Sequence, residues 1–325
     1  MFKLELGYFE ITAMIGAGLF LLTTAADWLV RGASSLARRL GVSSLVIGLT
    51  VVAFGTSMPE FVVSIDASMA GNSGIAVGNV VGSNIFNIAF ILGIAALIQP
   101  ITCSRTVIRR DVPVMIMVAA LMWYLSLDGL ISRVEAAVFF ALLVIYTVYS
   151  YVKARGEVPP EEATSAGEPE TAVPMSLKGE IWLIFVGLVA MIAGSKLLLQ
   201  GSVAIAKNAG ISDEVIGLTL IAAGTSLPEL ATSVVAALRG QSDIAIGNVV
   251  GSNIFNILGI LGLAGMILPL DVSQHMASID CPYMFVVSLA CLPIMRSGFS
   301  ISRFEGVLLL ASYVLYTWIL FQTPM

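Results

Sequence analysis

The chain has 325 residues, 58% hydrophobic and only 11% charged, with a mean hydropathy of +0.97. A soluble domain carries about 25% charged residues, so an ordinary water-soluble globule is excluded, and no basic tract suggests nucleic-acid binding. Three scattered cysteines (Cys103, Cys281, Cys291) and one histidine, His275, argue against a disulfide framework, a zinc site or a histidine-based catalytic centre.

The first apolar run lacks a signal peptide's basic start and cleavage site and reads as a retained helix. Blocks near the roughly 20 residues needed to cross a bilayer predict ten spans. These are residues 7–29, 43–70, 74–98, 108–127, 133–152, 180–202, 212–238, 243–268, 277–295 and 303–321. The fold class is therefore an all-α integral membrane protein. A first five-helix half (1–152) and a second (180–325) flank residues 153–179. That stretch holds Glu157, Pro159, Pro160, Glu161, Glu162, Glu168, Pro169 and Glu170, a composition that reads as a flexible, solvated linker. With the N-terminus outside, the inner loops and helix ends hold Arg31, Arg38, Arg39, Arg105, Arg109, Arg110, Lys153, Arg155, Lys178, Arg239, Arg296 and Arg303. The outer ones hold only Lys3, Arg133, Lys196 and Lys207. This asymmetry predicts both termini outside and a cytoplasmic linker.

The halves repeat each other. Val46–Glu60 reads VIGLTVVAFGTSMPE and Val215–Glu229 reads VIGLTLIAAGTSLPE, an offset of 169 positions (215 − 46). The same offset relates the identical decapeptides GNVVGSNIFN at Gly78–Asn87 and Gly247–Asn256, so the repeat motifs occupy 46–87 and 215–256. An odd number of spans per half predicts that the second half is inverted, as in many secondary transporters.

Within Gly55-Thr-Ser-Met-Pro-Glu60 and Gly224-Thr-Ser-Leu-Pro-Glu229, proline cannot bond the carbonyl four residues earlier. Each span should break there and free backbone carbonyls beside a buried glutamate. Such breaks are tolerated at membrane depth only inside protein or along a wet cavity, and an ionisable group at that depth implies function. A basic partner is the bland alternative, but no Lys or Arg lies at comparable depth. The glycines Gly78, Gly82, Gly247 and Gly251 read as faces for close helix approach. Asn79, Ser83 and Asn87, like Asn248, Ser252 and Asn256, form a polar stripe that either knits helices together or lines a cavity. Carboxylates, amides, hydroxyls and carbonyls are hard oxygen donors suited to calcium, and sodium can use the same ligands.

Other charges receive bland readings. Asp66 falls on a different helix face from Glu60 and reads as a vestibule or interface residue. Asp27 and Lys196 snorkel to opposite surfaces. Ser132–Glu135 and Ser302–Glu305 resemble capping boxes, and Asp111 and Asp280, two residues before proline, suit helix starts.

At GTSMPE, GTSLPE and the doubled GNVVGSNIFN, the whole chain resembles the calcium/cation antiporter superfamily, most closely its prokaryotic sodium/calcium exchanger branch. The resemblance implies calcium ligands at Glu60 and Glu229 with the carbonyls of Thr56 and Thr225. It places sodium positions at Ser57, Ser83, Ser226 and Ser252 and the backbone near Ala53 and Ala222, with Asn87 and Asn256 completing the centre. It also implies sliding of spans one and six against the remaining bundle. Position 256 is Asn here, where several relatives carry Asp. The expected function is exchange of Ca2+ for Na+ by alternating access in a prokaryotic plasma membrane, with no cofactor, no enzymatic activity and no obligatory protein partner beyond the lipid bilayer. The alternatives are a proton/calcium exchanger, whose branch typically carries a GNAxE-type motif instead, a passive cation channel, and an intramembrane protease.

Overall fold

Long apolar runs leave little choice but helix, because hydrocarbon offers no partners to an open backbone. The computed structural model describes residues 7–154, 175–209 and 222–322. Residues 155–174 of the expected linker and the start of the expected seventh span lie outside the described residues. The helices are α1 (Tyr8–Leu40), α2 (Ser44–Thr56), α3 (Met58–Met69), α4 (Ser73–Ile98), α5 (Val112–Leu125), α6 (Arg133–Ala154), α7 (Leu177–Asn208), α8 (Ala222–Thr225), α9 (Leu227–Leu238), α10 (Ser242–Ile267), α11 (Met276–Arg296) and α12 (Arg303–Gln322). Among the described residues seven are long and apolar enough to cross a membrane, and the bent pair α2–α3 makes an eighth. Of the two other expected spans, α5 has 14 residues and α9 has 12.

Two of the expected boundaries are corrected. Span one continues to Leu40, since Arg31, Arg38 and Arg39 sit on the helix itself. It stops at Gly41, whose φ of 63° lets its N–H reach back to Ala37 and Arg38. Residues 177–179, expected in the linker, belong to α7, whose N-cap Ser176 accepts from the Gly179 N–H at 3.1 Å.

Burial separates an inner pair from a lipid-facing ring. The most apolar window of α10 is 83% buried and that of α4 72%, against 11% for α12 and 22% for α6. The outer helices instead expose residues such as Phe20, Trp182 and Trp318, as a bilayer permits and water does not. Helix α1 lies along α7 on a seam of small residues. A Cβ on Gly18 would stand 2.7 Å from the Leu198 nitrogen, and one on Gly194 would stand 3.0 Å from that of Leu22. Helix α10 comes equally close to α2: a Cβ on Gly251 would lie 2.5 Å from the Leu49 carbonyl oxygen and one on Gly247 2.9 Å from that of Leu45. The expected glycine face is thus real in the second half. In the first half, a Cβ on Gly78 would stand 3.4 Å from the Met276 methyl group, and one on Gly82 would meet nothing within 4 Å among the described residues.

Among the described residues, four two-residue strands tie the halves together at the helix ends. Strand β1 (Ile101–Thr102) pairs antiparallel with β4 (Ser300–Ile301), and β2 (Leu130–Ile131) with β3 (Leu270–Asp271). Exchanging the halves maps one pair onto the other. Asp111 and Asp280 do not start helices. The helix is already running through a wide π-turn, Val107–Asp111 or Met276–Asp280, which precedes Pro113 or Pro282. Each aspartate instead accepts a tyrosine hydroxyl from the last helix of its own half, Tyr146 at 3.1 Å and Tyr316 at 2.8 Å. The two capping boxes form as expected, with Glu135 and Glu305 each accepting the backbone N–H of its serine at 2.8 Å.

Because Gly251 meets backbone rather than a flexible side chain, Gly251→Ala is expected to cost about 1–3 kcal/mol, read as a lower midpoint of thermal unfolding in detergent. Gly16→Ala, on the exposed face of α1, is expected to leave that midpoint unchanged.

Candidate ion site

The site grows out of the two predicted helix breaks. Helices α2 and α3 meet at Ser57 with a bend of 48°. Pro59 then falls in the first turn of α3, where its missing N–H costs nothing. Ser226 separates α8 from α9 in the same way, with Pro228 in the first turn of α9. Glu60 and Glu229 therefore both project from the first turn of a helix that starts in the protein interior, and both are fully buried. A carboxylate favours that end of a helix dipole.

Each carboxylate is served by the opposite half. The Ser57 hydroxyl donates to Glu229 Oε1 at 2.9 Å, and the Ser226 hydroxyl donates to Glu60 Oε1 at 2.6 Å. The second oxygen of each, Oε2, is buried without any hydrogen-bond partner among the described residues. The segments behind the carboxylates are braced by asparagines. Asn79 donates to the Glu60 carbonyl at 3.1 Å and to Ser64 at 2.9 Å; Asn248 donates to the Glu229 carbonyl at 3.2 Å and to Ser233 at 3.0 Å. Of the two roles open to the polar stripe, these members knit helices together. Asn248 also accepts from the Thr56 hydroxyl at 3.0 Å.

Asn87 and Asn256 also knit helices together, with one end of each amide left over. Their amide nitrogens donate across the halves, Asn87 to Asn253 Oδ1 at 3.1 Å and Asn256 to Asn84 Oδ1 at 3.0 Å. Their own oxygens are buried and accept nothing among the described residues. Both residues sit in π-turns, Phe86–Ile91 in α4 and Asn256–Leu261 in α10, a wide helical turn frequent at functional sites. Ser83, one turn before Asn87, is buried, and its hydroxyl oxygen has no partner among the described residues. Ser252 donates to the Ala53 carbonyl at 3.5 Å, an oxygen that also accepts from the Ser57 N–H at 3.1 Å and the Thr56 hydroxyl at 3.3 Å. Thr225 ends α8, and Ala222 begins it.

The four-residue stripe does not mark Asn84 and Asn253. They lie three positions from Asn87 and Asn256 (87 − 84, 256 − 253), yet are 1% exposed. Their repetition at the 169-residue offset was the available signal. Away from the centre, Asp66 is exposed on α3. Asp27 does more than snorkel, since it pairs with Arg31 at 3.9 Å and with Arg239 at the end of α9.

Bringing these oxygens together requires both halves, and known proteins match both. The sodium/calcium exchanger protein family matches residues 10–152 and again 179–322. The chain belongs to this family. Among its relatives, CaxA of Alkalimonas amylolytica is 40% identical over 316 residues, covering 96% of this chain and 99% of CaxA. The sodium/calcium exchanger MaX1 of Methanosarcina acetivorans is 36% identical over 337 residues, covering 94% of this chain and 96% of MaX1. A structure of the sodium-calcium exchanger NCX_Mj soaked without sodium or calcium superposes with a TM-score of 0.83 at 32% identity, over 97% of this chain and all of that one. A second, soaked with both ions, gives 0.80 over 94% and 96%. This family member is therefore a multi-pass membrane cation antiporter, and its family is one of transporters rather than enzymes.

Two buried carboxylates with unpartnered oxygens are unfavourable on their own. Glu229→Gln is expected to stabilise the protein in chelator by about 0.5–2 kcal/mol, seen as a higher unfolding midpoint. A lower midpoint would mean that its neighbours already satisfy the carboxylate.

Proposed function

We propose that the chain exchanges Ca2+ for Na+, the two ions binding in turn at one centre between Glu60 and Glu229. The observation that carries this reading is the set of five buried oxygens at this centre with no partner among the described residues: Oε2 of Glu60 and Glu229, Oδ1 of Asn87 and Asn256, and the hydroxyl oxygen of Ser83. Buried polar atoms are otherwise nearly always paired, so a set made only of oxygens reads as the ligand set of a hard cation. Two carboxylates balance one divalent charge. Ser57, Ser83, Ser226 and Ser252, the carbonyls of Thr56 and Thr225, and the backbone at Ala53 and Ala222 supply the further oxygens that sodium uses at the same centre. The sodium coupling is supported by the likeness to MaX1 and NCX_Mj, both named as sodium/calcium exchangers.

In this reading the chain forms ten spans, with α5 and the α8–α9 segment added to the eight above. Its second half is inverted, both termini lie outside the plasma membrane, and residues 153–179 are cytoplasmic. Support comes from the excess of Lys and Arg at one set of helix ends and from hydrogen bonds that exchange between repeat-related positions. Alternating access follows when occupancy neutralises the carboxylates and lets the helices around them rearrange.

The test is radioactive calcium uptake into proteoliposomes loaded with sodium, with and without an outward sodium gradient. Uptake is expected to require the gradient and to vanish in Glu60→Gln and in Glu229→Gln. Uptake that ignores sodium but follows a pH gradient would replace sodium by protons as the coupling ion. Normal transport by either variant would remove the carboxylate pair from the site.

A further inference from the structure

An asparagine amide has two nearly isosteric ends of opposite character, an oxygen that attracts a cation and an NH2 that repels it. A site that uses Asn87 and Asn256 as oxygen donors therefore needs something that decides which end faces the ion. The carboxylates Glu60 and Glu229 have no such problem, because their two oxygens are equivalent.

Four asparagines supply the decision in a chain that crosses between the halves. Asn256 Nδ2 donates to Asn84 Oδ1 at 3.0 Å, Asn84 Nδ2 donates to the backbone carbonyl of Asn253 at 3.1 Å, and Asn87 Nδ2 donates to Asn253 Oδ1 at 3.1 Å. Asn253 Nδ2 lies 3.6 Å from the Met115 sulfur. All four side chains are at most 1% exposed, so water cannot compete for these bonds. Each link consumes a nitrogen, and the two atoms left over are the oxygens of Asn87 and Asn256. Turning either amide over would place NH2 at the site and set oxygen against oxygen at Asn84 or Asn253.

We infer that Asn84 and Asn253 are positioning residues of the ion site, holding Asn256 and Asn87 with oxygen rather than nitrogen presented to the cation. The inference rests on the calcium reading of that site. The two anchors differ in strength. Asn84 is fixed by a main-chain carbonyl, whereas Asn253 has a thioether, a weak acceptor, behind its nitrogen. Asn256 is thus the more rigidly oriented of the two ligands.

A double-mutant cycle tests this, with radioactive calcium binding to the purified protein in detergent as the readout. Asn84→Leu removes the acceptor that orients Asn256 and is expected to raise the calcium concentration for half-saturation about tenfold. In an Asn256→Asp background the residue at 256 presents oxygen either way round, so the same Asn84→Leu change is expected to cost less than about threefold. Equal costs in the two backgrounds would mean that Asn84 only supports packing, and would overturn the proposal while leaving the calcium site intact. A wild-type protein that binds no calcium would instead overturn the calcium reading itself. Should Asn84→Leu fail to fold, Asn84→Ala carries the same cycle: it also removes the acceptor of Asn256, so a larger rise in half-saturation is expected in the wild-type than in the Asn256→Asp background, and equal costs would overturn the proposal.

Discussion

Burying two carboxylates side by side in a low-dielectric interior is the constraint around which the rest of this structure is arranged. A carboxylate in such a place needs hydrogen-bond donors or a counter-charge. Here each has one serine hydroxyl on one oxygen and nothing on the other among the described residues. That is enough to hold the side chain in a single orientation and too little to satisfy it. The broken helices follow from the same need: a continuous helix would carry each glutamate mid-span, whereas a break at Ser57 or Ser226 places it on the positive end of a new helix. The asparagines behind the breaks then brace backbone that would otherwise be loose.

The close packing outside the centre serves this arrangement. Gly247 and Gly251 let α10 touch the backbone of α2, which brings the second half's polar residues within hydrogen-bond range of the first half's break. The small-residue seam between α1 and α7 has a different neighbourhood. Those two helices face lipid over much of their length, and Asp27 links α1 to the end of α9 through Arg239.

Much of this was legible in the chain. Glycine, proline and glutamate at fixed spacing announced the breaks, and the 169-residue offset announced that each half holds one copy of every important element. Less legible was anything that depends on which copy touches which. The Ser57 hydroxyl serves Glu229 rather than Glu60, three residues from it in sequence, and periodicity carries no information about contacts between halves. Asn84 and Asn253 escaped notice for a related reason: a four-residue stripe selects one helix face, while the π-turns at Phe86–Ile91 and Asn256–Leu261 accompany a second polar row beside it. Asp111 and Asp280 look like helix starts because proline follows, but a wide turn had already begun the helix; a tyrosine hydroxyl bonds each carboxylate, and Asp111 also pairs with Arg110 at 2.9 Å.

The crossed serines also constrain how such a chain can change over time. The residue that answers to Glu229 is 172 positions away at Ser57, and the one that answers to Glu60 is 166 positions away at Ser226. A substitution at either serine is therefore felt in the other half of the molecule. The two halves are free to diverge on their lipid-facing surfaces, but at the centre neither can drift alone, and a change accepted on one side sets the terms for the next change on the other.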